Sequence, residues 1–125
     1  MNTTTTAHDT AQAFRVNFAD LLTESTEYHL PKGLADLLLK VREFATEAGE
    51  LDMNRPDSTT AFFQNDMNKV WTHAHRALVD TRIVGSKVTG QRDYSFGADR
   101  DRERRRNIIW HLKWIEAILH AVTTN

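Results

Sequence analysis

The chain has 125 residues, 40% of them hydrophobic and 26% charged, and a net charge of −1; that is the size and balance of one globular domain. Cysteine is absent, which excludes a disulfide framework, a thiolate metal site and a cysteine nucleophile. No apolar run is long enough to cross a bilayer, and the threonine-rich start lacks the basic-then-apolar order of a secretory signal, so a soluble, cytoplasmic protein without membrane contact is expected.

Residues 1–8 are threonine-rich and aperiodic and read as a flexible tail, leaving 9–125 as a single helical-bundle domain. From Asp9 to about His29, Phe14, Phe18, Leu21, Leu22 and Tyr28 fall on one face of an amphipathic helix. Leu30-Pro31 breaks it, because a residue before proline avoids the helical region while proline suits a first helical position. The second helix then runs to about Ala48, with Leu34, Leu37, Leu38, Val41, Ala45 and Ala48 inward and Gly49 as its stop.

Residues 50–57 read as a loop, and Asp57 or Ser58 caps a third helix. Its inward set is Phe63, Met67, Val70, Trp71, Ala74, Leu78 and Val84, and Gly85 ends it. A glycine-containing loop follows over 85–98. The last helix starts near Ala98 or Asp99 and ends near Val122, with Ile108, Leu112, Ile115, Leu119 and Val122 at steps of four, three, four and three. No segment has the strict alternation of a strand or a two-residue hairpin turn. The fold class expected is therefore all-α: a compact bundle of four main helices with a long loop before the last.

Charge is divided along the chain. Residues 1–62 hold five basic side chains against ten acidic ones, and residues 63–125 eleven against seven. Such a split suits a molecule that turns one side to a polyanion, or one whose halves attract each other or a neighbouring copy.

The last helix carries the sharpest signal. At about 100° per residue, Arg102, Arg106, Trp110 and Lys113 form one stripe, and Trp110 lies about 200° from the inward Leu112. Trp114 flanks the same surface. Arginine pairs with phosphate through planar, double hydrogen bonds, and tryptophan stacks on a base or fills a partner's pocket. Arg102, Arg104, Arg105, Arg106 and Lys113 are thus candidate nucleic-acid contacts, with Trp110 and Trp114 as stacking groups or subunit anchors. Asp99, Asp101 and Glu103 alternate with the arginines, so a self-neutralised helix start is the competing reading. Lys87 and Arg92, interleaved with Tyr94 and Phe96 on the preceding loop, fit contacts to single-stranded nucleic acid. Lys69, His73 and Arg76 share an outward face of the third helix and extend the basic surface. His73 and His75 point about 200° apart on a helix and cannot hold one ion, and no His-Glu-x-x-His is present, so neither a metal nor another cofactor is expected.

Two family resemblances follow from these residues. Arg106-Asn107-Ile108-Ile109-Trp110-His111 resembles the arginine–polar–histidine signature of HEPN ribonucleases, which would imply metal-independent RNA cleavage by Arg106 and His111 in a dimer cleft. The second covers the last helix and the general character of the rest. The arginine-rich run 102–106, then Trp110, Leu112-Lys113-Trp114 and Glu116-Ala117-Ile118-Leu119, resembles the closing helix of the small, all-helical subunits of CRISPR effector complexes of type III and type IV. That resemblance implies a non-catalytic subunit in antiviral defence, whose partners are guide RNA or target nucleic acid, other subunits and copies of itself. Arginines would hold the phosphate backbone without reading bases. A protein-binding helical adaptor that docks through its tryptophans is the third expectation.

Overall fold

The computed structural model describes the backbone of residues 3–53, 58–86 and 96–124 and the side chains of residues 8–48, 65–85 and 99–124. The described residues form four helices: α1 (Thr3–Glu24), α2 (Leu34–Met53), α3 (Ser58–Ser86) and α4 (Phe96–Thr124). Among the described residues there is no strand, only an isolated bridge between Thr26 and His29. The all-α four-helix bundle is therefore observed.

The helix ends differ from the sequence reading in instructive ways. Helix α1 begins at Thr3, inside the segment expected to be a tail. A β-branched threonine is a poorer helix former than alanine by only about 0.7 kcal/mol, so a threonine run does not itself forbid a helix. The same helix stops at Glu24, short of His29. Beyond it the Ser25 hydroxyl donates to the Leu21 carbonyl (2.6 Å), and Thr26 and His29 exchange backbone hydrogen bonds of 2.8 and 3.2 Å in a tight turn. Tyr28 sits in that turn, 67% exposed, and not on the inward face.

Helix α2 starts at Leu34 and not at Pro31, because Gly33 adopts φ of 84°, a left-handed conformation that no helical residue shares. The Gly33 carbonyl accepts the Leu37 N–H at 3.0 Å, the first bond of the helix. The helix then passes through Gly49 to Met53; an interior glycine costs about 1 kcal/mol against alanine, which is a tax and not a stop. Helix α3 ends at Ser86 and α4 starts at Phe96, each close to its expected limit.

Packing does not simply follow chain order, because the last helix returns to the first. Helix α3 lies between α2 and α4, α4 lies between α3 and α1, and α1 meets α2 least. One α1–α2 contact is the tilted pair Phe14–Phe44, with centroids 5.4 Å apart. Phe18, Leu38, Val41, Met67, Val70, Ala74, Leu78, Ile108, Leu112, Ile115 and Leu119 fill the centre and are fully buried. Most of the inward set read from the sequence is in the core or packed against it. Trp71 is not: it is 38% exposed, at the flank of α3, where its ring stacks on His75 of the same helix. Phe63 lies outside the described side chains.

Candidate binding face on helices α3 and α4

Two contacts fix the register of the antiparallel α3–α4 pair. His73 faces His111, with their Nδ1 atoms 2.9 Å apart, and two turns along Asp80 faces Arg104 at 3.5 Å. Aromatic side chains surround the first of these. Trp114 stacks parallel on the His73 ring (centroids 5.7 Å, 1° between planes), and Trp110 meets the same ring edge-on at 5.6 Å. The two indoles meet each other edge-on at 6.0 Å. On the other flank of α3, Trp71 stacks on His75 (4.9 Å, 11°), whose Nδ1 lies 2.9 Å from a guanidinium nitrogen of Arg42 on α2. His73 and His75 thus serve different helix seams, as their spacing predicts, and no group of three or more metal-ligating side chains occurs among the described residues.

Every tryptophan of the chain is substantially exposed: Trp71 at 38%, Trp110 at 52% and Trp114 at 46%. Single exposed apolar residues need no explanation, but an indole is normally among the most covered side chains, and Trp110 and Trp114, which touch each other, make one surface feature, with Trp71 apart on the other flank of α3. The charges around them are one-sided. Among the described side chains, the exposed residues of α3 include Lys69, Arg76 and Arg82, and those of α4 beyond Glu103 include Arg106 and Lys113, while no carboxylate on either stretch is exposed. Asp66, Asp80 and Glu116 are half-buried; burial lifts the Asp66 carboxyl above its usual range, against the pull of Lys69. The opposite side is acidic: α1 and α2 expose Asp9, Asp20, Glu24, Asp36, Glu43 and Glu47. The charge split along the chain has become a split between two faces.

The arginine run is placed differently from its expected role. Arg102 pairs with Asp99 and lies over the Tyr28 ring, 5.7 Å from its centroid. Arg104 is held by Asp80, Arg105 donates to the Glu27 carbonyl at 3.1 Å, and Arg106 reaches the Glu27 carboxylate at 3.5 Å. All four guanidinium groups thus have partners in their own chain, and three of them, Arg102, Arg105 and Arg106, hold the α1–α2 turn against α4. Lys69, Arg76 and Lys113 stand exposed beside the indoles. Lys87 and Arg92 lie outside the described residues.

Nor does the fold join Arg106 to His111 within one chain. His111 is 7% exposed and turned to His73 on α3, whereas Arg106 is turned to Glu27 in the α1–α2 turn. Burial holds both imidazoles of the His73–His111 pair below the ordinary histidine range; Arg76 adds to this at His73, and His73 itself adds to it at His111, where Asp80 opposes. The sequence pointed to Trp110, Trp114, Lys69, Arg76 and Lys113 one by one. It missed Trp71 as a surface group and the His73–His111 pair, which only the α3–α4 register brings together.

No helix among the described residues is long and apolar enough to cross a membrane. No family model, no curated protein and no solved structure matches the chain.

Proposed function

We propose that the protein is a non-catalytic helical subunit of a cytoplasmic ribonucleoprotein of the CRISPR effector type, and that the α3–α4 face is where it meets nucleic acid. The observation that carries this reading is the make-up of that face: the exposed, touching indoles of Trp110 and Trp114 beside Lys69, Arg76 and Lys113, with no exposed carboxylate on α3 or on α4 beyond Glu103 among the described side chains. Flat π-surfaces beside cations suit unpaired bases and their phosphates, since stacking accepts any base while the cations follow the backbone. The acidic α1–α2 face would then turn away from nucleic acid and toward neighbouring subunits. This moves the contact from the helix start, where the arginines are already engaged, to the middle of α3 and the second half of α4.

The test is titration of the purified chain with single-stranded RNA at low salt, read by anisotropy of a labelled oligonucleotide. Trp110→Ala and Trp114→Ala are each expected to weaken binding by about 1–3 kcal/mol, the worth of one base–aromatic stack, with helicity unchanged, whereas Trp71→Ala, on the other flank of α3, should weaken it less. Absence of RNA binding at low salt, together with capture of a partner protein that Trp110→Ala abolishes, would replace this reading with the protein-binding adaptor. Metal-independent cleavage of the RNA, lost in His111→Ala, would replace it with the nuclease.

A further inference from the structure

The His73–His111 contact has a property that an ordinary buried hydrogen bond lacks. The ring centroids are 5.2 Å apart and the Nδ1 atoms 2.9 Å, a difference accounted for by little more than the two ring radii. The imidazoles therefore meet head-on, one Nδ1–H pointing at the other Nδ1. Lone pairs aimed at each other do not converge on a third point, so the arrangement is that of a hydrogen bond and not of a chelate.

Proton accounting follows from this geometry. A neutral imidazole has one N–H and one lone pair. In the pair, the donor ring keeps a lone pair on Nε2, and the acceptor ring has committed its Nδ1 lone pair to the bond. A first added proton goes to the donor's Nε2 and leaves the bond intact, now charge-assisted. A second proton has only the acceptor's Nδ1 to bind, and binding there replaces the hydrogen bond with two N–H groups facing each other.

We infer that the His73–His111 pair is a proton-operated latch between α3 and α4, closed with no or one added proton and opened by the second, and that its opening resets the indoles of Trp110 and Trp114. The charged groups that act on the pair among the described residues come from α3 and α4. Arg76 disfavours further positive charge at both rings, and Asp80, already engaged by Arg104, is the one carboxylate that favours it. Burial of both rings acts in the same sense as Arg76. Trp114 lies flat on His73 and Trp110 against both rings, so the latch cannot open without displacing the aromatic roof above it. The inference stands apart from the proposed RNA contact, since it concerns the free chain.

The experiment is an NMR titration of the unliganded protein, following imidazole nitrogens and the three indole N–H resonances. The expected result is two separate steps, the lower one below the ordinary histidine range and appearing at an Nδ1. The Trp110 and Trp114 indoles should move with that lower step, while Trp71, stacked on His75, does not. His73→Phe keeps an aromatic ring under Trp114 and removes the bond, so His111 should then titrate in one step. Two independent imidazoles in the ordinary range would overturn the inference. So would Trp110 and Trp114 resonances that stay still through the lower step, or a His111 titration unchanged in His73→Phe.

Discussion

Asp80 serves two neighbours on α4. It faces the Arg104 guanidinium at 3.5 Å with both side chains half-buried, and its charge is the one that favours a protonated His111. Arg104 Nε is already buried without a hydrogen-bond partner, so removing the carboxylate charge leaves a cation poorly satisfied. Asp80→Asn should therefore destabilise the chain by about 1–2 kcal/mol, between the worth of an exposed pair and the loss on breaking a buried one, as read by urea unfolding at pH 7. The same substitution should push the His111 titration further down. The histidines also set a pH dependence. Both folded values lie below the unfolded 6.5, so just below that pH the unfolded chain binds more protons than the folded one. Stability is then fully present above about pH 6.5 and falls as the pH drops through the depressed folded values. Urea midpoints measured from pH 8 to 5 should trace this fall, and His73→Phe should make it shallower.

Two glycines separate backbone need from spare freedom at the level of the helices. Gly33 holds φ of 84° at the entry to α2, and no atom lies within 4 Å of where a Cβ would sit. Gly33→Ala therefore meets no clash, yet should cost about 1 kcal/mol for the left-handed backbone alone. Gly85 has equally open surroundings in ordinary helical geometry at the end of α3, so Gly85→Ala should stabilise by about 0.5 kcal/mol by restricting the unfolded chain. Thermal melting of the two variants should move in opposite directions. The sequence could not tell these glycines apart, and it took Gly49 for a stop because a glycine signals a C-terminus only when the next contacts favour leaving the helix. Helix number and the inward faces of α2 and α4 were legible, since apolar periodicity states directly which side is buried. The outer faces were less so. Angle on one helix says that Arg102 and Arg106 point away from Leu112, but not that the α1–α2 turn reaches over to meet them with Tyr28 and Glu27. Trp71 misled for a related reason: it lies at the edge of the apolar stripe, and how far the neighbouring helix wraps it is a matter of packing, not period.

For the molecule as a whole, the consequence of folding is that a chain of net charge −1 presents two faces of opposite character. A polyanion approaching the α1–α2 side meets six exposed carboxylates and is repelled, so orientation is imposed before any contact forms. Among the described residues of α3 and α4 the exposed cations not held by an internal ion pair are Lys69, Arg76, Arg82, Arg100 and Lys113, whereas Arg102, Arg104, Arg105 and Arg106 would have to exchange an internal partner for an external one. That difference is measurable. Each phosphate neutralised on a single strand contributes about −0.7 to the slope of log affinity against log salt, so these five cations among the described residues contribute at most roughly −3.5. Replacing Lys69, Arg76 or Lys113 by Ala should each flatten the slope by about 0.7, and replacing Arg102 or Arg106 should leave it nearly as it was while loosening the α1–α2 turn. The reverse pattern, with a slope that responds to Arg102 and Arg106 and ignores Lys69, Arg76 and Lys113, would mean that the internal pairs open on binding and that the helix start, not the indole face, is what nucleic acid meets.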